Sequence, residues 1–529
     1  MSGWNRLIFA LFLGAISALS FPPLFFLPLL IPGFVGLLWL IGGSSANSRQ
    51  GGLKVIRKAD WSAFVVGWFF GLGYFSVGLY WVTYSFLVDA QTFAWMIPIV
   101  FFVLVGGMAI YTGLTSWATH KFSDDGLGRI IALATWWVLF EWVRSWAFSG
   151  FPWNLLGTVW TFSAPMIQLA AVTGVFGLSL VTVLCATVTA VLAETTLNVR
   201  HRWQIMLTGL GVLLLLWIGG SIRLGYSTDG DVKGVQLRLI QPNIAQKDKW
   251  KPDLLSGHLN SLLNLSKLPN KINDSNRTHI IWPETAVPFF IDSHSELLSV
   301  LGEVAPADGA LITGAPRKTK HETGPSKLWN SIYVIDSLSR VVDKYDKNRL
   351  VPFGEYIPFR SYLNFSSIAA GRKDFSSGGR HKLLQVPGAP IMVPLICYEA
   401  IFPHRTNFKI DSDRPGWLLN VTNDAWFGSS SGPYQHFASV QMRSVEEGIP
   451  VVRVANTGIT GVIDPYGRIR FKTKLNTRTI VDSTLPKSLG DITWYVKYGN
   501  STLFIILAIL FLVSKQWKGR RLDKNSFLI

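Results

Sequence analysis

Three short stretches each set a reactive side chain just beyond an apolar, strand-like run. Ile280-Ile-Trp-Pro-Glu284 ends on a carboxylate, Val342-Asp-Lys-Tyr-Asp-Lys347 on an ammonium, and Ile391-Met-Val-Pro-Leu-Ile-Cys397 on a thiol followed by Tyr398 and Glu399. A strand delivers its terminal side chain in a fixed direction, and the carboxyl end of α/β strands is where chemistry collects. The three groups complement one another. A thiol can attack a carbonyl and become an acyl thioester. A carboxylate can take the thiol proton and return it to a leaving group. An ammonium can favour thiolate and steady the oxyanion that forms during attack. Each residue alone has a plainer reading: Cys397 as a small core residue, Glu284 as a turn residue after Trp-Pro, Lys347 as one more solvated charge. Their order and flanks carry the chemical reading.

Other chemistries find less support. His404 and His436 offer a Cys–His dyad, but no further sequence feature favours it. No His/Cys cluster has metal-ligand spacing, and no glycine-rich phosphate loop precedes a helix in this region. Neither metal nor cofactor is therefore expected. The second of the two cysteines, Cys185, lies in an apolar run, so a structural disulfide with Cys397 is not expected.

The elements that would position these residues lie between Val235 and Leu485. Val235–Ile240, Thr278–Trp282, Ala310–Gly314, Leu328–Ile335, Arg340–Tyr345, Ile391–Ile396, Gly416–Val421, Val451–Ala455 and Thr460–Asp464 read as strands. Asp253–Leu268, with Asp253 placed as a cap, Glu296–Ala305 and Pro433–Glu447 read as helices. Such alternation argues a layered α/β domain, and about 250 residues suffice to bury its core. Tyr356–Gly379 has few such signals but contains Phe359, Tyr362, Phe365 and Phe375. It reads as an arm dipping apolar side chains into a lipid interface, or as a solvated loop.

The remainder of the 529 residues looks like membrane. Hydrophobic residues make up 49%, with 22 Trp and 34 Phe, and the mean hydropathy is +0.31. Apolar runs cover Leu7–Phe21 and Pro23–Gly43, followed by Trp61–Leu87, Thr92–Trp117, Ile130–Phe148, Met166–Ala193 and Ile205–Ile222, these last five each long enough to cross ~30 Å of hydrocarbon. An eighth, Ser501–Val513, is expected to extend back to about Tyr495. Leu7–Phe21 also has the look of a signal peptide, but a second run follows at once, so an uncleaved first span is expected.

Many of the basic residues behind the net charge of +17 lie in short loops between apolar runs. Nucleic-acid binding would want them clustered on one face, so no nucleic-acid partner is expected. Arg49, Lys54, Arg57 and Lys58, then Lys121 and Arg129, then Arg200 and Arg202, and finally Lys515, Lys518, Arg520 and Arg521 occupy alternate loops. The intervening loops near Ser20–Pro23, Asp89–Gln91 and Gly150–Pro165 carry no Lys or Arg. Both termini should be cytoplasmic and the segment from about Gly225 to Lys487 outside, in a bacterium the periplasm. This gives residues 1–224 as a seven-span membrane domain, 225–490 as the catalytic domain, 491–514 as the eighth helix and 515–529 as a cytoplasmic tail. Glu141 and Arg144 share one face of the fifth span and can pair, as a structural pair or a functional one. Ser149–Gly157 beyond them has helix breakers and interfacial aromatics, suited to a lipid-facing floor.

Trp282-Pro-Glu-Thr-Ala286, Lys347-Asn-Arg-Leu-Val-Pro-Phe-Gly-Glu355 and Cys397-Tyr-Glu399 resemble the Glu-Lys-Cys motifs of the nitrilase superfamily. With the membrane spans, nearly the whole chain resembles the bacterial apolipoprotein N-acyltransferase family within it. Gln241-Pro-Asn243 with Trp250, Asn420–Gly428, Gly432–Phe437 and Asn456–Thr460 agree. The resemblance implies an αββα sandwich assembled on eight membrane helices, an integral inner-membrane protein with its catalytic domain on the periplasmic side. It implies Glu284 as base, Lys347 as oxyanion stabiliser and Cys397 as nucleophile. Glu355 would be a second carboxylate orienting the lysine and Glu399 a supporting acid. Trp250, Asn330, Tyr398 and Trp426 would lie near the substrate. The implied reaction moves an acyl chain from a phospholipid, through a Cys397 thioester, to the N-terminal amine of a diacylglyceryl-cysteine apolipoprotein. One alternative is a membrane-tethered amidase or nitrilase acting on small amides; another is a transport bundle with the outer domain as receptor.

Overall fold

The computed structural model describes all residues except 1–2, 45–52, 124–125, 196, 228–229, 270–278, 320–325, 359–373, 380–381, 404–413 and 525–529. The chain forms two compact units, one of Met1–Tyr80, Met96–Ser227 and Thr493–Ile529, the other of Trp81–Trp95 and Thr228–Ile492.

In the first unit the apolar runs become helices: α1 (Gly3–Ala18), α2 (Leu30–Gly43), α3 (Leu53–Leu79), α4 (Ile97–Phe122), α5 (Leu127–Arg144), α6 (Ala170–Val188) and α7 (Val199–Gly225), with a last one at Ser501–Lys524. Among the described residues, Lys58–Gly78, Ala90–Phe122, Ala170–Ala193 and Val199–Gly225 are long and apolar enough to cross a membrane. Gly3–Ala18, Leu27–Gly43 and Ser501–Lys515 are apolar but shorter. The third run is α-helical to Leu79 and continues to Leu87 as a 3₁₀ turn, Tyr80–Thr83, and a one-turn helix, Tyr84–Leu87, with Trp81–Trp95 belonging to the second unit. The final helix does not reach back to Tyr495: Gly499 takes φ 56° and separates it from a one-turn helix, Trp494–Tyr498, a left-handed break that glycine allows.

Glu141 and Arg144 both bind the backbone of the segment after α5. Glu141 Oε1 accepts the Leu156 N–H at 3.0 Å and the Trp137 indole N–H at 3.1 Å. Arg144 donates to the carbonyls of Phe151 at 2.7 Å and Trp153 at 2.6 Å. Trp153–Val159 is consequently buried in the helical unit rather than lying as a lipid-facing floor.

The second unit holds two mixed sheets. β1 (Asp231–Gln241), β2 (His279–Ile281), β3 (Ala310–Thr319), β4 (Lys327–Ile335), β5 (Val341–Asp346), β6 (Met392–Ile396), β7 (Trp417–Thr422), β8 (Val451–Ala455), β9 (Gly461–Ile463), β10 (Ile469–Lys472) and β11 (Thr479–Pro486) arrange as β11-β1-β2-β3-β4-β5 and β10-β9-β8-β7-β6. β1, β2 and β3 run parallel, as do β6, β7 and β8. Strand alternation gives each sheet an inner and an outer apolar face. Leu239, Ile281, Ile312 and Val334 meet Ile396, Leu419 and Val454 between the sheets. Outside the first sheet, Ile240, Ile280 and Tyr333 pack on α8 (Leu255–Lys267) and α9 (Ser295–Gly302). Outside the second, Val393, Leu418 and Val451 pack on Phe437 and Val440 of α10 (Gly432–Glu447). The layering is α/β/β/α. Asp253 does not cap α8: the N-cap is Leu254, without a side-chain cap bond, because the helix starts one residue beyond Asp253's reach as a cap.

Candidate active site

The first sheet supplies a carboxylate and an ammonium. β2 ends at Ile281, and the chain turns sharply through Pro283 and Glu284, with Thr285 at φ 45°. Gly314 of β3 lies against this turn. Its N–H donates to the Pro283 carbonyl at 3.2 Å, and a Cβ there would come within 2.5 Å of the Thr285 nitrogen, so only glycine fits. Lys347 follows β5, and its N–H donates to the Asn330 carbonyl of β4 at 2.8 Å.

The second sheet supplies the thiol. β6 runs into a 3₁₀ turn, Cys397–Ile401, and Cys397 itself has φ 50°. A non-glycine residue held there is strained and must be fixed by its surroundings. Glu399 does the fixing. Fully buried, it accepts the Ile396 N–H at 2.9 Å, the Tyr345 hydroxyl at 2.8 Å, and the Asn348 and Arg349 N–H groups at 3.0 Å each. One carboxylate thus ties the turn that bears the thiol to the segment that bears Lys347.

Around Lys347 the acids converge. Its ammonium donates to Glu355 at 2.9 Å and lies 3.6 Å from Glu284 Oε1. Asn330 Nδ2 donates to Glu284 at 2.7 Å and to Glu355 at 3.1 Å, and Val351 N–H donates to the other Glu355 oxygen at 2.9 Å. Burial works against the Lys347 charge, but Glu355, Glu284 and Cys397 outweigh it and hold the ammonium well above the ordinary lysine range. The Cys397 thiol moves the other way. Burial and the Glu284 charge push it up to about 12, against the pull of Lys347. The thiol is therefore neutral at rest, not the thiolate expected from a neighbouring lysine. A nucleophile of this kind needs its proton removed as it attacks, and moving that proton onto Glu284 leaves the net charge of the cluster unchanged.

Behind the nucleophile, His436 bonds not the thiol but the Cys397 carbonyl, at 3.2 Å through Nε2, while Nδ1 meets Asp424 at 2.9 Å. Arg453 donates to the same Asp424 at 2.6 Å. Burial disfavours the Asp424 charge, yet Arg453 and His436 hold this carboxyl well below the usual range. His436 thus supports the turn that bears Cys397 through its backbone carbonyl. A Cys397, an Asp424 and a His436 ligand atom lie within 4.8 Å of one another, and the Arg453 guanidinium already meets the charge such a set would present to a cation.

A family model described as carbon-nitrogen hydrolase matches residues 237–492, and one described as apolipoprotein N-acyltransferase N-terminal domain matches residues 13–188. The chain is 39% identical over 521 residues to the apolipoprotein N-acyltransferase of Rhodopseudomonas palustris, covering 97% of this chain and 95% of that one. It is 37% identical over 525 residues to that of Bradyrhizobium diazoefficiens, covering 97% and 96%. The chain belongs to the apolipoprotein N-acyltransferase family. A solved amidase from Nesterenkonia, 16% identical, aligns with 53% of this chain and 98% of its own at a TM-score of 0.35.

As a member of this acyltransferase family, the chain brings Glu284, Lys347, Cys397, Glu355 and Asn330 into one buried cluster, with Glu399 beneath it. Tyr398 is buried and packs edge-on against Phe402 at 5.1 Å. Trp250 is 44% exposed. Trp426 is half-buried, and its carbonyl accepts the Ser85 hydroxyl at 3.1 Å. His404, and Phe359, Tyr362 and Phe365 of the expected arm, lie outside the described residues. The further family stretches knit the surroundings: Asn456 donates to Asn423 at 2.9 Å, and Asn423 to Gln246 at 2.6 Å.

One buried residue beside Glu284 escapes sequence reasoning altogether. Lys249 is buried, and its Nζ donates to the Glu284 carbonyl oxygen at 3.1 Å. It stands in the charged run Lys247-Asp-Lys-Trp-Lys251, which has the look of a solvated face.

Proposed function

We propose that this acyltransferase works by two acyl transfers through Cys397, taking the chain from a membrane phospholipid. Glu284 accepts the thiol proton as sulfur attacks the ester carbonyl, and Lys347 stabilises the oxyanion. The C–O bond breaks, Glu284 returns the proton to the departing lysophospholipid oxygen, and a thioester remains. The N-terminal amine of a diacylglyceryl-cysteine apolipoprotein then attacks the thioester, forming the amide and restoring the thiol. Ping-pong kinetics follow. The observation that carries this reading is the buried Cys397 thiol gathered with the Glu284 carboxylate and a Lys347 ammonium braced by two acids, a set suited to acyl exchange without any diffusible cofactor. Incubating the enzyme with defined phospholipid and a diacylglyceryl-cysteine peptide should yield lysophospholipid and N-acyl peptide in equal amounts. N-acyl peptide without lysophospholipid would sink the choice of donor.

The eight helices named for the first unit, Leu127–Arg144 included, are eight spans of a bacterial inner membrane, with the catalytic unit on the periplasmic side. The alternation of basic loops with loops that carry no Lys or Arg supports this. An impermeant maleimide on intact cells should reach Asp89→Cys but not Lys121→Cys; the reverse would invert the topology. The carbon-nitrogen hydrolase match favours a second reading, hydrolysis of small amides through the same thioester. Ammonia release with no lysophospholipid would support it.

A further inference from the structure

The amine acceptor raises a proton problem that a hydrolase does not face. Water attacks as a neutral molecule and gives up one proton. A protein N-terminus has its pKa near 7.7–8.0, so much of it arrives as an ammonium, and it must lose one proton to gain a lone pair and a second as the amide forms. Glu284 accounts for one of these. A second acceptor is needed next to it.

Lys249 stands in that place. It is 4% exposed, reaches the Glu284 carbonyl at 3.1 Å, and lines with Glu284, Pro242, Ile244 and Asn456 a cavity of about 10 Å³, room for one water-sized group such as an amine head. Lysine 347 is locked as an ammonium by two carboxylates, whereas the Lys249 amine is bonded to a neutral carbonyl. Burial lowers Lys249 to about 8, with the Glu284 and Cys397 charges opposing that shift. The other ionisable groups nearby are Lys247, Asp248 and Lys251 on its own segment, Lys347 beyond Glu284, and His258 of α8, which lines the same cavity and bonds the Asp248 carbonyl at 3.1 Å.

We propose that Lys249 is the first proton acceptor for the incoming amine, and that Glu284 is the second. The inference rests on the acyl-transfer reading above. Lys249 in its uncharged form, which burial makes accessible near neutral pH, takes a proton from the acceptor ammonium and becomes an ammonium itself. The freed amine forms the C–N bond at the thioester carbonyl and passes its next proton to Glu284. The C–S bond breaks, Glu284 returns that proton to sulfur, and Lys249 releases its own to water. The sum is thioester plus ammonium giving amide, thiol and one proton.

The test uses full-length enzyme in lipid nanodiscs, loaded from phospholipid and offered either a diacylglyceryl-cysteine peptide or hydroxylamine, which is already uncharged at pH 7. Lys249→Met should form thioester and pass acyl to hydroxylamine as wild type does, while transfer to the peptide falls about 100-fold. Lys249→Arg keeps a cation and a donor but cannot accept a proton, and should show the same split. An equal fall for both acceptors, no fall for either, or restoration of peptide transfer by arginine would each overturn the proposal. So would loss of thioester formation in both variants, which would move Lys249 to the first half-reaction. A wild-type enzyme that never carries acyl on Cys397 overturns the acyl-transfer reading itself, and this inference with it.

Discussion

Asn330 Nδ2 donates to Glu284 Oε1 at 2.7 Å, and the same amide reaches Glu355 at 3.1 Å. A side chain in the middle of β4 therefore fixes the orientation of the carboxylate proposed to exchange protons with Cys397. It also keeps the two acids flanking Lys347 from repelling each other apart. Removing the amide should leave the fold in place, because β4 is held by pairing on both edges, while the carboxylate loses its aim. Asn330→Ala should lower kcat about 100-fold, the scale of an ångström-sized misplacement. Steady-state kinetics with a folded-protein control checks this; a change confined to KM would count against the positioning role.

The neutral thiol gives Glu284 two separable effects. Its charge raises the Cys397 pKa, and its oxygen takes the proton. Glu284→Gln removes both. The thiol should then titrate below its wild-type value of about 12, while acyl transfer falls on the order of 10²–10⁴-fold. Thiolate absorbance against pH and a transfer assay on the same preparation give the two readings. A more easily ionised thiol with undiminished activity would remove Glu284 from the mechanism.

Glu399 accepts four buried donors, and its effect should appear in stability first. Glu399→Ala leaves three backbone N–H groups and the Tyr345 hydroxyl without that partner, a loss of about 3 kcal/mol or more. Tyr345→Phe removes one donor and should cost about 1 kcal/mol. Thermal unfolding in detergent ranks the two. Equal Tm values would mean that the turn bearing Cys397 is held by something else.

The Asp424–Arg453–His436 cluster ties stability to acid. A carboxyl whose folded pKa is depressed contributes stability that is fully present above its unfolded value, ~3.9. That contribution is lost as pH falls from there toward the folded pKa. Denaturant midpoints measured from pH 6 down to pH 3 should decline less steeply in Asp424→Asn than in wild type below about pH 4. Parallel slopes would show that other groups govern acid unfolding.

Much of this was readable in the chain. Ile391–Ile396, Ile280–Trp282 and Val342–Tyr345 are apolar or alternating enough to be strands, and the residue after each strand is where chemistry sits. What escaped depends on distance in sequence. β11 has the polar text Thr-Ile-Val-Asp-Ser-Thr-Leu-Pro and is a strand only because β1 pairs with it over most of its length. Lys249 is buried because Glu284 and α8 close over it, so its neighbours in sequence point the wrong way. Asn330 is placed near the substrate by the family resemblance, but its hold on two acids from earlier and later turns shows only in the fold. Lys347 did suggest a thiolate, and the reversal comes from burial and Glu284, neither of which a motif displays. Gly499, by contrast, stood in plain view as a helix break within the expected eighth span.

The central claim is that Cys397 carries the acyl chain between two lipids. Intact-protein mass spectrometry after incubation with a single phospholipid species and no acceptor tests it most directly. The account predicts a gain of one acyl mass, mapped to Cys397, absent in Cys397→Ala, and discharged when the diacylglyceryl-cysteine peptide is added. An unmodified thiol in an enzyme that still acylates the peptide would contradict it.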